Sequence, residues 1–213
     1  MNNVFVIGVG LIGGSLCLDI KKIYPKVKIY GIDSSVDNLD LAVELNLIDF
    51  KTSLDNLNKA DLVLISTPVD VANKIIIDVL NNINSKSLVI DFGSTKTNIC
   101  SKVNNHKKRK NYLASHPIAG TEFSGPKAAF LGLFSNKTII LCDCEKTDTN
   151  LLTTAENIFR SMQMNIRYMD SFSHDKHIAY VSHLSHISSF MLGKTVMDKE
   201  TVSYTHLTLP TTD

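Results

Sequence analysis

Residues 4–13 read VFVIGVGLIG: four apolar residues suited to a buried strand, then Gly8-x-Gly10-x-x-Gly13, then the start of an apolar run at helical spacing. This order decides the fold class, because each glycine answers a different steric demand. Gly8 permits a tight turn, Gly10 lets a pyrophosphate approach the backbone beside Leu11 and Ile12, and Gly13 lets the helix pack close. The helix N-terminus adds partial positive charge. The next strand ends at Asp33, where a carboxylate can accept hydrogen bonds from an adenosine ribose. Ser34 and Ser35 follow, with no Arg beside them, so a 2′-phosphate would be repelled and NAD is expected rather than NADP.

Outward from this unit, β-branched runs alternate with helical patterns. The spacing predicts strands over 4–7, 27–32, 61–65 and 87–90, with helices over 11–22, 36–45 and 69–80 between them. Later come strands at 112–114, 136–141 and 165–169 and a helix over 148–162. Such alternation implies right-handed crossovers and an α/β, Rossmann-type, doubly wound and mainly parallel sheet across residues 1–170. In such sheets ligands bind beyond the carboxyl ends of the strands. Ser66-Thr67-Pro68 and the turn from Asp91 through Ser94 to Lys96 are therefore expected to border the nicotinamide half of the cofactor. Ser94 taken singly reads equally well as a helix cap.

With 213 residues, 44% of them apolar, the chain can bury a substantial core. A net charge of +1 gives no global pull toward nucleic acid or an anionic membrane. The basic run 106–110 lacks interleaved aromatics and reads as a solvated surface loop. Four cysteines without zinc-type spacing, in a chain this long, point to a reducing cytoplasm and no metal. The apolar stretch 4–20 is preceded by no basic residue and is broken by four glycines, so it does not read as a signal peptide, and the protein is expected to be soluble.

Residues 115–125, SHPIAGTEFSG, place a titratable His, a Glu and three hydroxyls between glycines. With GVGLIGGS, Asp33, STP, DFGSTK and the run HDKHIAYVSHLSH over 174–186, this segment makes the chain resemble the prephenate dehydrogenase family from residue 4 to about 194. The resemblance implies oxidative decarboxylation of prephenate or arogenate with a nicotinamide cofactor, in tyrosine biosynthesis. It also implies roles. His116 would accept the ring hydroxyl proton, as suits an imidazole with a pKa near ~6.5. Ser94 would hold that hydroxyl in register with the nicotinamide, and Glu122, with Thr121 beside it, would flank the substrate pocket. A helix starting at Ser173, with Asp175 in its first turn, would open an all-helical domain over 171–200 that completes the substrate site and forms a homodimer. On it, His183 or His186 could meet a substrate carboxylate; as a metal pair they lack further ligands.

The chain also departs from the family's pattern. No Arg follows Arg167, although a substrate-binding Arg is expected farther on. Residues 201–213 are rich in Thr and break the apolar periodicity, so they are expected to be non-native, with the native chain continuing beyond about 199. Three readings remain open beside prephenate oxidation: arogenate oxidation, a hydroxyacid dehydrogenase with a Lys-based site, and a non-catalytic NAD-binding module.

Overall fold

The computed structural model describes residues 1–180, 190, 191 and 194. The chain divides into two compact units, Met1–Asp175 and Lys176–Asp213. The first contains an eight-stranded sheet of order β3-β2-β1-β4-β5-β6-β7-β8. Its strands are β1 (Asn3–Ile7), β2 (Lys28–Ile32), β3 (Phe50–Lys51), β4 (Leu62–Ile65), β5 (Leu88–Asp91), β6 (Tyr112–Pro117), β7 (Thr138–Cys142) and β8 (Asn165–Met169). Helices α1 (Leu11–Ile23), α2 (Val36–Glu44), α3 (Val69–Asn82), α4 (Thr97–Val103) and α5 (Thr149–Ser161) lie between them, and α6 (Ser171–Ile178) follows. The fold is therefore the expected Rossmann-type α/β sheet, with β1 to β6 mutually parallel.

Burial explains the order of the strands. Every residue of β4 and β5 is buried and β1 is buried from Val4 onward, whereas the edge strands β3 and β8 are largely exposed. Continuous apolar runs are what a parallel sheet covered on both faces requires. One core cluster runs from Val4 and Val6 through Leu64 and Ile90 to Leu141 and Phe159, so both ends of the sheet share a single interior.

Several boundaries differ from expectation. β3 is too short for a periodic signal, and α4 was not anticipated because its apolar residues are few. β6 runs on to Pro117 instead of stopping at Ala114, because β7 pairs with it antiparallel, matching Ser115 with Leu141, His116 with Ile140 and Pro117 with Ile139. β7 starts at Thr138 because Asn136 takes a left-handed conformation, φ 59°, that breaks a strand.

The basic run 106–110 is only in part a solvated loop: Lys107 and Lys110 are exposed, but two other members turn inward. Arg109 is buried, donates to the carbonyls of Tyr112 at 2.8 Å and Asp143 at 3.2 Å, and lies over the Tyr112 ring. Lys108 donates to the carbonyls of Asn81 and Ile83. These two cations tie the run to backbone carbonyls of neighbouring segments.

At the centre of the sheet Asp91 and Lys96 form an ion pair of 2.5 Å, with the two side chains 1% and 0% exposed. Lys96 also donates to the Ser115 carbonyl at 2.8 Å, and the Tyr112 hydroxyl donates to Asp91 at 3.0 Å. Among the described residues there is no helix long and apolar enough to cross a membrane and no cluster of three metal-ligating side chains. The cysteines are free.

Replacing Lys96 with Met leaves the Asp91 carboxylate buried without its counter-charge. The expected loss is about 3–5 kcal/mol of unfolding free energy, read from urea denaturation. A loss below about 1 kcal/mol would show that the pair contributes little.

Candidate functional site

The strand order reverses between β1 and β4, and a cleft opens there beyond the carboxyl ends of the strands, as doubly wound sheets require. Its volume is about 510 Å³, and its walls include Gly8, Gly10, Asp33, Ser66, Thr67 and Pro68. These are the residues the glycine motif and the β4 turn led us to expect. Asn38, Leu54, Val71, Ile75 and Gly125 also line it and were missed. Leu54, Val71 and Ile75 read as ordinary apolar positions in sequence, and only the closing of the chain puts them on one wall.

The three glycines divide their work as their surroundings dictate. Gly8 has φ +89°, and a Cβ there would lie 2.8 Å from the Ser66 carbonyl oxygen. At Gly13 a Cβ would run into the Gly8 carbonyl and sit 2.5 Å from Ser66 Oγ. Gly10 faces open space, with nothing within 4 Å of a Cβ position. Two glycines thus seal strand against helix, while the third leaves room for a ligand at the helix end.

The α1 N-terminus has no side-chain cap and no acidic residue in its first turn, so its first amides remain available to an anion. Ser66 Oγ donates to the Gly8 carbonyl at 2.7 Å and braces the turn from β4. Asp33 accepts from Val9 N at 3.0 Å with one oxygen and from Ser35 N at 2.9 Å with the other. Those bonds fix the carboxylate beside the glycine turn while leaving lone pairs for ribose hydroxyls. Capping of α2 falls to Ser35, which accepts from Asn38 N, so Asp33 is not needed as a cap. The Thr67 hydroxyl is buried without a partner at the same cleft. An open glycine, uncapped amides and an anchored carboxylate together fit a dinucleotide.

Farther along the same edge, the β5 turn and the end of β6 carry the remaining groups. Asp91, expected to border the cofactor, is buried, and its carboxylate is taken up by Lys96, Tyr112 and the Gly93 amide. Ser94 is exposed at the turn above. It does not cap α4. The carboxylate of Asp175 does so from α6, accepting from Lys96 N at 2.7 Å and Thr97 N at 2.8 Å. This also corrects the expected helix start: α6 begins at Ser171, and the Asp175 carboxylate serves another helix's N-terminus.

His116 is partly buried on β6, beyond the level at which β5 ends, since Asp91 pairs with Ala114. Its Nδ1 lies 2.9 Å from Nε2 of His174, the two rings meeting edge to face, and His174 Nδ1 lies 2.8 Å from Asp175. His174 is fully buried, although in sequence it drew no role beside His183 and His186. Burial, with smaller contributions from His174 and Lys96, lowers the His116 pKa from 6.5 to about 4, against an opposing pull from Asp175. Burial also lowers that of His174, opposed by Asp175.

Thr121 and Glu122 occupy an exposed irregular segment; Thr121 Oγ1 accepts from Phe123 N, and no hydrogen bond links Glu122 to His116. They line a separate surface concavity with Phe123, Lys127 and Phe130. His183 and His186 lie outside the described residues.

The family described as "Prephenate dehydrogenase, nucleotide-binding domain" matches residues 16–168. A prephenate dehydrogenase of Bacillus subtilis (strain 168) is 31% identical over 190 residues, covering 87% of this chain and 51% of the relative. The crystal structure of prephenate dehydrogenase from A. aeolicus in complex with hydroxyphenyl propionate and NAD+ has a TM-score of 0.86 at 32% identity, covering 94% of this chain and 71% of that one. That of Synechocystis arogenate dehydrogenase has a TM-score of 0.83 at 25% identity, covering 93% and 70%. The chain spans about half the length of the curated relatives it matches.

Two substitutions separate packing from binding at the glycine turn. Gly13→Ala is expected to cost at least about 1–3 kcal/mol through overpacking and to lower the melting midpoint. Gly10→Ala should leave that midpoint unchanged while weakening NAD binding at least roughly tenfold, about 1.4 kcal/mol, by calorimetry. Equal melting effects for both would contradict this division.

Proposed function

We propose, because this chain belongs to the prephenate dehydrogenase family, that it is the cofactor-binding part of an enzyme that oxidatively decarboxylates prephenate to 4-hydroxyphenylpyruvate. The observation that carries the reading is an imidazole, His116, held on a paired strand at the same sheet edge as the dinucleotide cleft. From β1 to β6 is three strand steps, roughly 14 Å at the usual spacing, a distance an extended dinucleotide can bridge. Gly8, Gly10, Leu11, Ile12 and Gly13 would hold the pyrophosphate, Asp33 the adenosine ribose, and Ser66 to Pro68 the path toward the nicotinamide. The chemistry supplied by bound NAD is acceptance of the hydride from the hydroxyl-bearing ring carbon.

His116 would take the hydroxyl proton as the carbonyl forms, and loss of carbon dioxide then aromatises the ring. Its lowered pKa keeps the imidazole unprotonated at neutral pH before the reaction begins, at a cost in basicity. Ser94, exposed and free of capping duty, would keep the hydroxyl in register, and Glu122 and Thr121 would border the pocket mouth. His183 and His186 would meet a substrate carboxylate, and a homodimer would form through the helical domain. A cytoplasmic location suits free cysteines.

Arogenate oxidation is the second reading, favoured by the likeness to the Synechocystis enzyme. The two substrates differ in side-chain oxo or amino group, so NADH release measured with each decides between them. NAD binding without NADH from either would instead support a non-catalytic module.

Replacing His116 with Asn should leave NAD affinity nearly intact and cut turnover by roughly two to four orders of magnitude. Lost cofactor binding would make His116 structural.

The pH dependence expected from an ordinary imidazole moves. Since His116 accepts a proton only when neutral, kcat/KM should fall on the acid side near about 4 rather than near 6.5. Stability has the same sign. Between those values the unfolded chain binds more protons than the folded one at this site, so the fold weakens as pH falls through that window. A limb in kcat/KM at the ordinary imidazole value would contradict the burial of His116.

A further inference from the structure

One carboxylate, Asp175, touches both halves of the proposed catalytic edge. Its Oδ1 accepts from Lys96 N at 2.7 Å and lies 2.8 Å from His174 Nδ1, while its Oδ2 accepts from Thr97 N at 2.8 Å. The amides belong to the N-terminus of α4, directly after Gly93-Ser94-Thr95. The imidazole is fully buried and meets His116.

We infer that Asp175 is a positioning residue that selects the tautomer of His116 through His174 and, by capping α4, holds the turn that carries Ser94. The inference rests on the reading of His116 as the base. A carboxylate that already receives two amide protons can only accept, so His174 Nδ1 must carry hydrogen toward it. A neutral His174 then has a bare Nε2, which can only accept. The 2.9 Å contact is therefore satisfied when His116 Nδ1 donates. That leaves His116 Nε2 as the unprotonated nitrogen, the atom that can take a proton from substrate.

Asp175 remains ionised for this purpose. Burial pushes its pKa up, but the hydrogen bonds from Thr97, His174 and Lys96 together bring it below the ordinary carboxylate value. His174 makes no claim on the substrate; it transmits an orientation. The same logic governs a hydrolase triad, where a buried acid fixes the imidazole tautomer without itself taking the proton. Here a second imidazole stands between acid and base.

The experiment reads imidazole nitrogen shifts by NMR in the chain labelled with ¹⁵N-histidine, at neutral pH. In the unsubstituted protein both His174 and His116 should show a protonated Nδ1 and an unprotonated Nε2. Asp175→Ala removes the acceptor and should convert both rings to tautomer mixtures. His174→Phe keeps the cap on α4 and should release His116 alone. Turnover should fall in both variants roughly 10- to 100-fold, the scale seen when partners that orient metal-bound imidazoles are lost, with KM little changed. A protonated Nε2 on His116 in the unsubstituted protein, or unchanged shifts in Asp175→Ala, would overturn the inference. His116→Gln that keeps its turnover would overturn the base reading instead, while the shifts would still report the chain of bonds.

Discussion

Asp91 and Lys96 pair where both side chains are almost wholly buried, and the geometry of the proposed catalytic edge follows from where they must be. Asp91 is the last residue of β5 and Lys96 immediately precedes α4, so their pairing folds the β5 turn back over its own strand. Lys96 then donates to the Ser115 carbonyl, which ties the turn to β6 one residue before His116. A buried pair of this kind adds little net stability compared with apolar packing, yet it tolerates no partial loss. Its value lies in registry: two strand ends and a helix start are held together by one ammonium.

The second constraint is contact between backbones at the other end of the cleft. Ser66 links β4 to the glycine turn, while Gly13 brings α1 against the Gly8 carbonyl with no room for a side chain. The cradle is therefore closely packed from both sides, which lowers the cost of ordering the amides at the start of α1. Cradle and imidazole lie on the same sheet, so their separation is set by strand spacing rather than by loop conformation.

Much of this was legible in the sequence wherever local pattern and local chemistry coincide. The β1 turn, Asp33, the β4 turn and His116 all sit where apolar runs stop and polar residues begin, and period-2 and period-3.6 patterns located the elements around them. What the sequence did not disclose depended on long-range pairing. Asp91 looked like a ligand because it ends a strand, but its neighbour in space, Lys96, turns it inward. Ser94 looked equally like a cap, until Asp175 arrived from far along the chain to take that task. Arg109 read as one of five solvated residues because nothing local signals that the Asp143 carbonyl and the Tyr112 ring close over it. The extension of β6 to Pro117 required β7, which arrives from the opposite direction.

That antiparallel pairing carries the final step. A purely parallel sheet would release the chain at the end of β5 and β6 alike, leaving residue 116 on a loop. By matching His116 with Ile140 and Pro117 with Ile139, β7 continues the ladder past the point where β5 stops, so the imidazole stands beyond its neighbours yet remains on a strand. The same strand pairs with β8, whose end at Met169 lies level with Cys142 and hence with Ala114. The chain leaving β8 is thereby delivered beside the α4 N-terminus, where His174 and Asp175 can reach back. A single reversal of strand direction both carries the proposed base past the end of β5 and brings in the residues proposed to orient it, which is why a site on this edge is built from segments almost 60 residues apart, as in the His116–His174 contact with its separation of 58.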